Sequence, residues 1–132
     1  MIRDIATFRS VRFNPVLPEE CQVNPGHYGA ELAFWLCTRL YSEHRIVTSY
    51  PDDDDLWWML GYSSEDGYEF AIQCSNIYGQ NDCWMISLRR YGRGFFRGGK
   101  PSFGRAGSLI AALRALLEAE EGISELEWLW EE

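Results

Sequence analysis

Histidine is nearly absent from this chain. His27 and His44 are the only two among 132 residues, and acid–base and nucleophilic mechanisms often need a histidine beside a Ser or Cys. Cysteine is sparse as well. Cys21, Cys37, Cys74 and Cys83 stand far apart, without the close pairs that zinc sites use. No apolar run approaches the ~20 residues that span a bilayer. Residues 1–6 carry Arg3 and Asp4, and no apolar stretch of a signal peptide follows. Positive charge is in deficit: 12 Lys and Arg stand against 20 Asp and Glu, for a net charge of −8. That balance argues against a general binder of nucleic acid or anionic membrane and favours solubility. What remains is a cytosolic protein with reduced thiols, for which neither a catalytic constellation, nor a cofactor, nor a metal is expected.

Aromatic residues are plentiful: six Trp, seven Tyr and seven Phe. They bury large areas, and where exposed they mark contact surfaces. The length suits one domain, residues 1–132, with a core that needs no disulfide or metal. Residues 56–88 organise it. Three alternating runs separated by turn residues predict an antiparallel meander, with Asp66-Gly67 as a hairpin signal. Leu56, Trp58, Leu60, Tyr62, Tyr68, Phe70, Ile72, Cys74, Trp84, Ile86 and Leu88 fall at even positions and form one apolar face. The odd face is polar in the middle run (Glu69, Ala71, Gln73, Ser75). In the outer runs it carries Trp57, Met59, Cys83 and Met85, which are neighbours if those runs lie close in the sheet.

Residues 29–44 read as a helix whose apolar arc holds Ala30, Leu32, Ala33, Phe34, Leu36, Cys37, Leu40 and Tyr41. Trp35 lies on the polar flank, either under the arm of Arg39 one turn on, or against a partner or another part of the fold. Residues 107–121 form a second amphipathic helix, capped by Ser102 or Ser108 and closed by a left-handed Gly122. Strands are predicted at 7–13, at a sheet edge, at 45–50 and at 124–130. Tyr91 to Phe96 are a possible strand extension. The order β-α-β-β-β-β-α-β gives an α+β two-layer sandwich: a mainly antiparallel sheet with both helices on the even face.

Two charged segments stand out. Asp52, Asp53, Asp54 and Asp55 read as an acidic loop that keeps an edge from pairing, since they lack the alternating spacing of a calcium loop. Residues 89–105 hold six of the twelve basic residues and no acidic one. They lack the lysine placement of a phosphate-binding loop. Their arginine–glycine stretches, with Phe95 and Phe96 for stacking, give an anion- or RNA-binding alternative on Arg89, Arg90, Arg93, Arg97 and Lys100. The simpler reading is a basic loop paired with the protein's own acidic surface. A Cys21–His27 pair, six residues apart, is a nucleophilic combination that nothing else in the sequence supports.

The segments GAELAFWLCTRLYSEHRIVTSYPDDDDLWWMLGY and GYEFAIQCSNIYGQNDCWMISL, with the later helix and Trp-containing strand, resemble a family of small uncharacterised bacterial α/β proteins. That family carries a Trp-rich strand after an acidic loop, and the resemblance covers about residues 26–130. Members read acidic-Trp-Gly-Trp where this chain has Asp55-Leu56-Trp57-Trp58. The resemblance implies a bacterial origin and a compact α/β domain, and it transfers no activity and no catalytic residue.

The leading expectation is a non-enzymatic protein that binds another protein, in the manner of an immunity or inhibitor protein, or binds itself. Trp57, Met59 and Met85 make the contact, and Asp52, Asp53, Asp54 and Asp55 steer a basic partner electrostatically.

Overall fold

A computed structural model describes residues 2–13, 28–54, 57–77, 80, 82–90 and 102–130. The elements are β1 (Ile2–Arg9), α1 (Ala30–His44), β2 (Asp52–Asp54), β3 (Trp57–Ser63), β4 (Glu69–Asn76), β5 (Cys83–Arg90), a 3-10 turn (Phe103–Ala106), α2 (Gly107–Ala119) and β6 (Ser124–Trp128). The strands form one open sheet in the order β2-β3-β4-β5-β1-β6, every neighbouring pair antiparallel. This is the α+β architecture that the alternation predicts.

The even face of the meander is the core. Leu60, Phe70, Ile72, Cys74, Trp84, Ile86 and Leu88 are all fully or almost fully buried. Leu32, Ala33, Leu36 and Leu40 of α1 and Leu109, Ile110, Ala112, Leu113, Leu116 and Leu117 of α2 join them in one cluster. Each large side chain so buried stabilises the fold by roughly 1.5–3 kcal/mol before chain entropy is set against it.

β1 lies inside the sheet, between β5 and β6, not at an edge. It also starts earlier than its apolar residues suggest, because Ile5 and Phe8 cannot share a face in a regular strand of period two. A register shift between Asp4 and Ala6 resolves the conflict. The extra residue lets Ile5 and Ala6 both be buried and sets Phe8 opposite Trp84 on the core side. Beyond the strand the chain turns, and Phe13 enters an aromatic cluster. Its ring lies 6.3 Å from Phe8, 5.4 Å from Trp35 and 6.0 Å from Trp84. The indole N–H of Trp84 donates to the Ser10 carbonyl at 3.0 Å. Trp35 therefore packs within the fold, with the Arg39 and Arg12 guanidinium carbons 5.9 and 6.0 Å from its ring.

Residues 45–50 are not a strand, because the end of α1 uses them. Arg45 adopts the left-handed conformation (φ 56°, ψ 30°). Its N–H donates to the Tyr41 carbonyl at 3.0 Å, and the Ile46 N–H donates to the Leu40 carbonyl at 3.0 Å. The bond from the left-handed Arg45 to the carbonyl four residues back is the αL C-cap motif, and half-buried Ile46 packs against the core beyond it. The strand forms later, from the aspartates themselves: Asp52, Asp53 and Asp54 pair with Met59, Trp58 and Trp57.

The expected end signals of α2 are also corrected. Ala106 precedes the helix without a side-chain cap, and Ser102 caps neither the helix nor the 3-10 turn. Glu120 closes α2 in an extended conformation, and among the described residues positive φ falls on Gly29, Arg45, Gly67 and Glu125, not on Gly122. The Asp66-Gly67 signal holds. Gly67 has φ 83°, its N–H donates to the Ser64 carbonyl at 2.9 Å, and the Ser64 N–H donates to the Tyr68 carbonyl at 2.8 Å. The strand extension expected at Tyr91 to Phe96 lies outside the described residues.

Candidate functional site

Register builds the odd face of the sheet in rows. Asp52, Met59, Gln73, Ser87 and Asp4 lie side by side across β2, β3, β4, β5 and β1. The Ser87 hydroxyl donates to Asp4 Oδ1 at 2.9 Å. Trp57, Met59 and Met85 share this face and are half-buried. They do not form one patch, because β4 runs between β3 and β5. Two consecutive hairpins must place the middle strand there, leaving about 9–10 Å between the outer ones. The intervening Ala71, Gln73 and Ser75, with Cys83 and Ser87 on β5, are buried, so the centre of this face is not an open apolar surface. Both side-chain polar atoms of Gln73 are buried without a hydrogen-bond partner among the described residues.

The clearest exposed surface lies at the β2 edge. Asp52 and Asp53 are exposed on a terminal strand of the sheet. Asp54 belongs to the same strand, and Asp55 lies outside the described residues. Beside this strand Phe34 is 45% and Tyr50 81% exposed. Their rings meet edge to face at 6.1 Å, and exposed Val47 and Tyr41 lie nearby in sequence. Phe34 and Tyr41 fall in the apolar arc of α1 by helical spacing, yet both are exposed. A helix lying on a sheet buries an arc of roughly 100°, and Leu32, Ala33, Leu36 and Leu40 already fill it. Seven residues apart, Phe34 and Tyr41 share the outer side. Their excess over that arc was the signal available in the sequence.

Two depressions adjoin these elements. One, about 830 Å³, runs along β2 and β3 and is lined by Asp52, Asp53, Met59, Gly61, Glu69 and Ala71, with residues 47–49 as one wall. The other, about 1000 Å³, lies between the end of α1 and the start of α2, where His44, Arg45, Tyr62, Asp66 and Arg105 meet. There Arg105 Nη1 donates to Asp66 Oδ2 at 2.7 Å, and the Arg105 guanidinium lies 5.1 Å from the Tyr68 ring. The Ser64 hydroxyl, which donates to Asp66 Oδ1 at 2.6 Å, is the largest influence holding the Asp66 carboxyl below its ordinary range, with Arg105 assisting. Burial, then Glu65 and Asp66, pushes the Tyr62 hydroxyl up. The Asp66 and Arg105 charges of this second depression are thus paired with each other.

Cys21 and His27 lie outside the described residues. His44 is exposed in the last turn of α1, where a protonated imidazole suits the helix dipole. Cys74 is fully buried, and burial pushes its thiol far up. Burial also raises the Cys83 thiol, which donates to Gln80 Oε1 at 2.9 Å. Cys37 is half-buried and accepts a hydrogen bond from the Thr48 hydroxyl at 3.4 Å. Among the described residues no group of three or more His, Cys, Asp or Glu gathers as a metal site would need. No described helix is long and apolar enough to cross a membrane.

Of the basic segment, Arg89 and Arg90 end β5, while Arg93, Arg97, Lys100, Phe95 and Phe96 lie outside the described residues. The Arg90 guanidinium carbon sits 4.9 Å from the Phe103 ring. Phe103 packs at 5.4 Å on Trp130, over which Arg3 stacks at 4.5 Å. Arg90 and Arg105 thus turn to aromatic and acidic groups of the protein itself. Compared with known proteins, the chain matches no family model, no curated protein and no solved structure.

Proposed function

We propose that this protein is a non-enzymatic binding domain for another protein, one that is basic at the contact. The observation that carries the reading is the exposed Phe34–Tyr50 pair beside the acidic edge strand β2. Aromatic residues at the centre with charge at the rim is how protein contacts are built. The net charge of −8 steers a basic partner and repels a second copy at the same edge. Trp57 and Met59, paired with Asp54 and Asp52 between β2 and β3, extend the contact. An immunity- or inhibitor-like role toward a basic bacterial protein is its concrete form. The free thiols Cys37, Cys74 and Cys83 fit a reducing cytosol.

The experiment is affinity capture from native extract with the protein and with a Phe34→Ala/Tyr50→Ala variant, followed by reconstitution of the complex from purified components. Both substitutions are at exposed positions, so circular dichroism should be unchanged. The reading requires that the reconstituted complex weaken with the variant and with added salt. A complex indifferent to both changes would sink it.

A further inference from the structure

The aromatic rings of α1 are treated in two ways. Trp35 and Tyr41 each have an arginine four residues on, where side chains of a helix meet. Arg39 lies 5.9 Å from the Trp35 ring and Arg45 5.5 Å from the Tyr41 ring. Phe34 has Thr38 at that place and Glu31 three residues before it. The covering of rings recurs across the molecule. Guanidinium carbons of the protein's own arginines stand 4.5 to 6.0 Å from the rings of Trp35, Tyr41, Tyr68, Phe103, Trp128 and Trp130. Phe34, Tyr41 and Tyr50 are the exposed aromatic residues among those described, and of these Tyr41 alone has such a cation. Among the described residues the rings of Phe34 and Tyr50 meet only each other. That contact sets the edge of one ring against the face of the other, and Tyr50, 81% exposed, keeps a ring face open to water. The face carries the negative end of the ring quadrupole. No Lys, Arg or His stands within four residues of Phe34 or Tyr50 along the chain. Asp52 follows Tyr50 by two residues, exposed, its carboxylate in no ion pair or hydrogen bond among the described residues.

We infer that the Phe34–Tyr50 pair is the seat of an arginine side chain of the partner protein, stacked on the open ring as the protein's own arginines stack on its other rings, with Asp52 as counter-charge. The inference rests on the binding-domain reading and names the chemistry at its contact. A guanidinium suits such a place better than an ammonium. It is planar and weakly hydrated, so it lies flat on a ring while its edge bonds a carboxylate. An apolar side chain would cover the rings but gain nothing from the negative charge beside them. A second copy, with its own net charge of −8, is opposed by that same field.

The test uses the full chain with carbon-13 in its Phe and Tyr rings, and two synthetic probes. These are acetyl-Gly-Arg-Gly-Arg-Gly-amide and the same peptide with citrulline for arginine. The arginine peptide should shift the ring signals of Phe34 and Tyr50. Citrulline keeps the shape and removes the charge, and it should bind at least about twofold more weakly. Tyr50→Phe keeps a ring and should keep the binding. Tyr50→Leu keeps only apolar bulk and should lose about two- to fivefold in affinity. Both substitutions fall at an exposed position, and the ring shifts of the unaltered chain decide without them. The inference is overturned if the two rings do not respond at about 10 mM arginine peptide, or if citrulline binds as tightly. It is equally overturned if Tyr50→Leu binds unchanged, or if Tyr50→Phe loses as much as Tyr50→Leu. Ring signals that move when the protein alone is diluted would give the surface to a second copy and overturn it as well. A partner complex that depends on Phe34 and Tyr50 while the peptide leaves both rings unmoved would remove this inference alone. A peptide that binds the rings while no partner complex depends on them would remove the wider reading alone.

Discussion

Ser49 and Gly61 hold each other through a reciprocal pair of hydrogen bonds. The Ser49 N–H donates to the Gly61 carbonyl at 2.9 Å, and the Gly61 N–H donates to the Ser49 hydroxyl oxygen at 2.7 Å. One serine thus takes the place of the strand that residues 45–50 do not form, and anchors the approach to β2 against β3. Ser49→Ala removes the second bond. Because the site is partly open to water, the loss should be about 0.5–1 kcal/mol, read as a lower urea midpoint at an unchanged slope.

Arg45 carries its left-handed conformation at a cost of roughly 1–2 kcal/mol for a residue with a Cβ. Glycine relieves that strain but loses the stacking of the Arg45 guanidinium on Tyr41, at 5.5 Å, and adds freedom to the unfolded chain. Arg45→Gly should therefore raise stability by about 0.5–1 kcal/mol, measured by urea unfolding. A destabilised variant would show that the stacking outweighs the backbone.

Gly29 brings the start of α1 against β4. A Cβ there would lie 2.5 Å from the Cys74 carbonyl oxygen. The contact is fixed on both sides: the Tyr28 N–H donates to Asn76 Oδ1 at 2.9 Å, and the Asn76 N–H donates to the Tyr28 carbonyl at 3.0 Å. Gly29→Ala must push the helix off the sheet, and a loss of about 1–3 kcal/mol is expected, visible as a fall in the thermal midpoint.

Asp66 makes stability depend on acid. Its folded-state pKa is lowered, first by the Ser64 hydroxyl and then with help from Arg105. The ionised carboxylate is thus the form the fold favours. Its contribution is complete above the ordinary carboxylate pKa and is lost as pH falls through the lowered value. Comparing the native protein with Asp66→Asn from neutral pH downward should show a constant stability difference that closes only in that acid window. A difference that stays open at the lowest pH would mean the pair acts without its charge.

The thiols should separate by burial. Cys74 and Cys83 are buried with raised pKa values, while Cys37 is half-buried. Since the thiolate is the reactive form, iodoacetamide at neutral pH followed by peptide mapping should find Cys37 modified ahead of Cys74 and Cys83.

The layered fold could be read from alternation because it depends on a property each strand carries alone. Trp58, Leu60, Phe70, Ile72, Trp84 and Ile86 declare their face wherever the strands end up, and the two leucine stripes declare which side of each helix is apolar. The candidate site was less legible. Trp57, Met59, Met85 and the aspartates were named as residues, but a local pattern does not say which strands become neighbours. β4 separates Met85 from Trp57 and Met59 because hairpins bring consecutive runs together. Phe34 looked like core because a wheel reports hydrophobicity and not the width of the surface that the helix meets.

By itself the sequence determined the α+β class, the core face of the meander and the acidic character of one edge, since these follow from local periodicity and charge. The tertiary structure alone decided three things: that Arg45 ends a helix, that β1 bulges to bring both Ile5 and Phe8 inside, and that Phe34 and Tyr50 meet outside. Each of these is a compromise between residues distant in the chain. The energy that settles it exists only when both partners are in place.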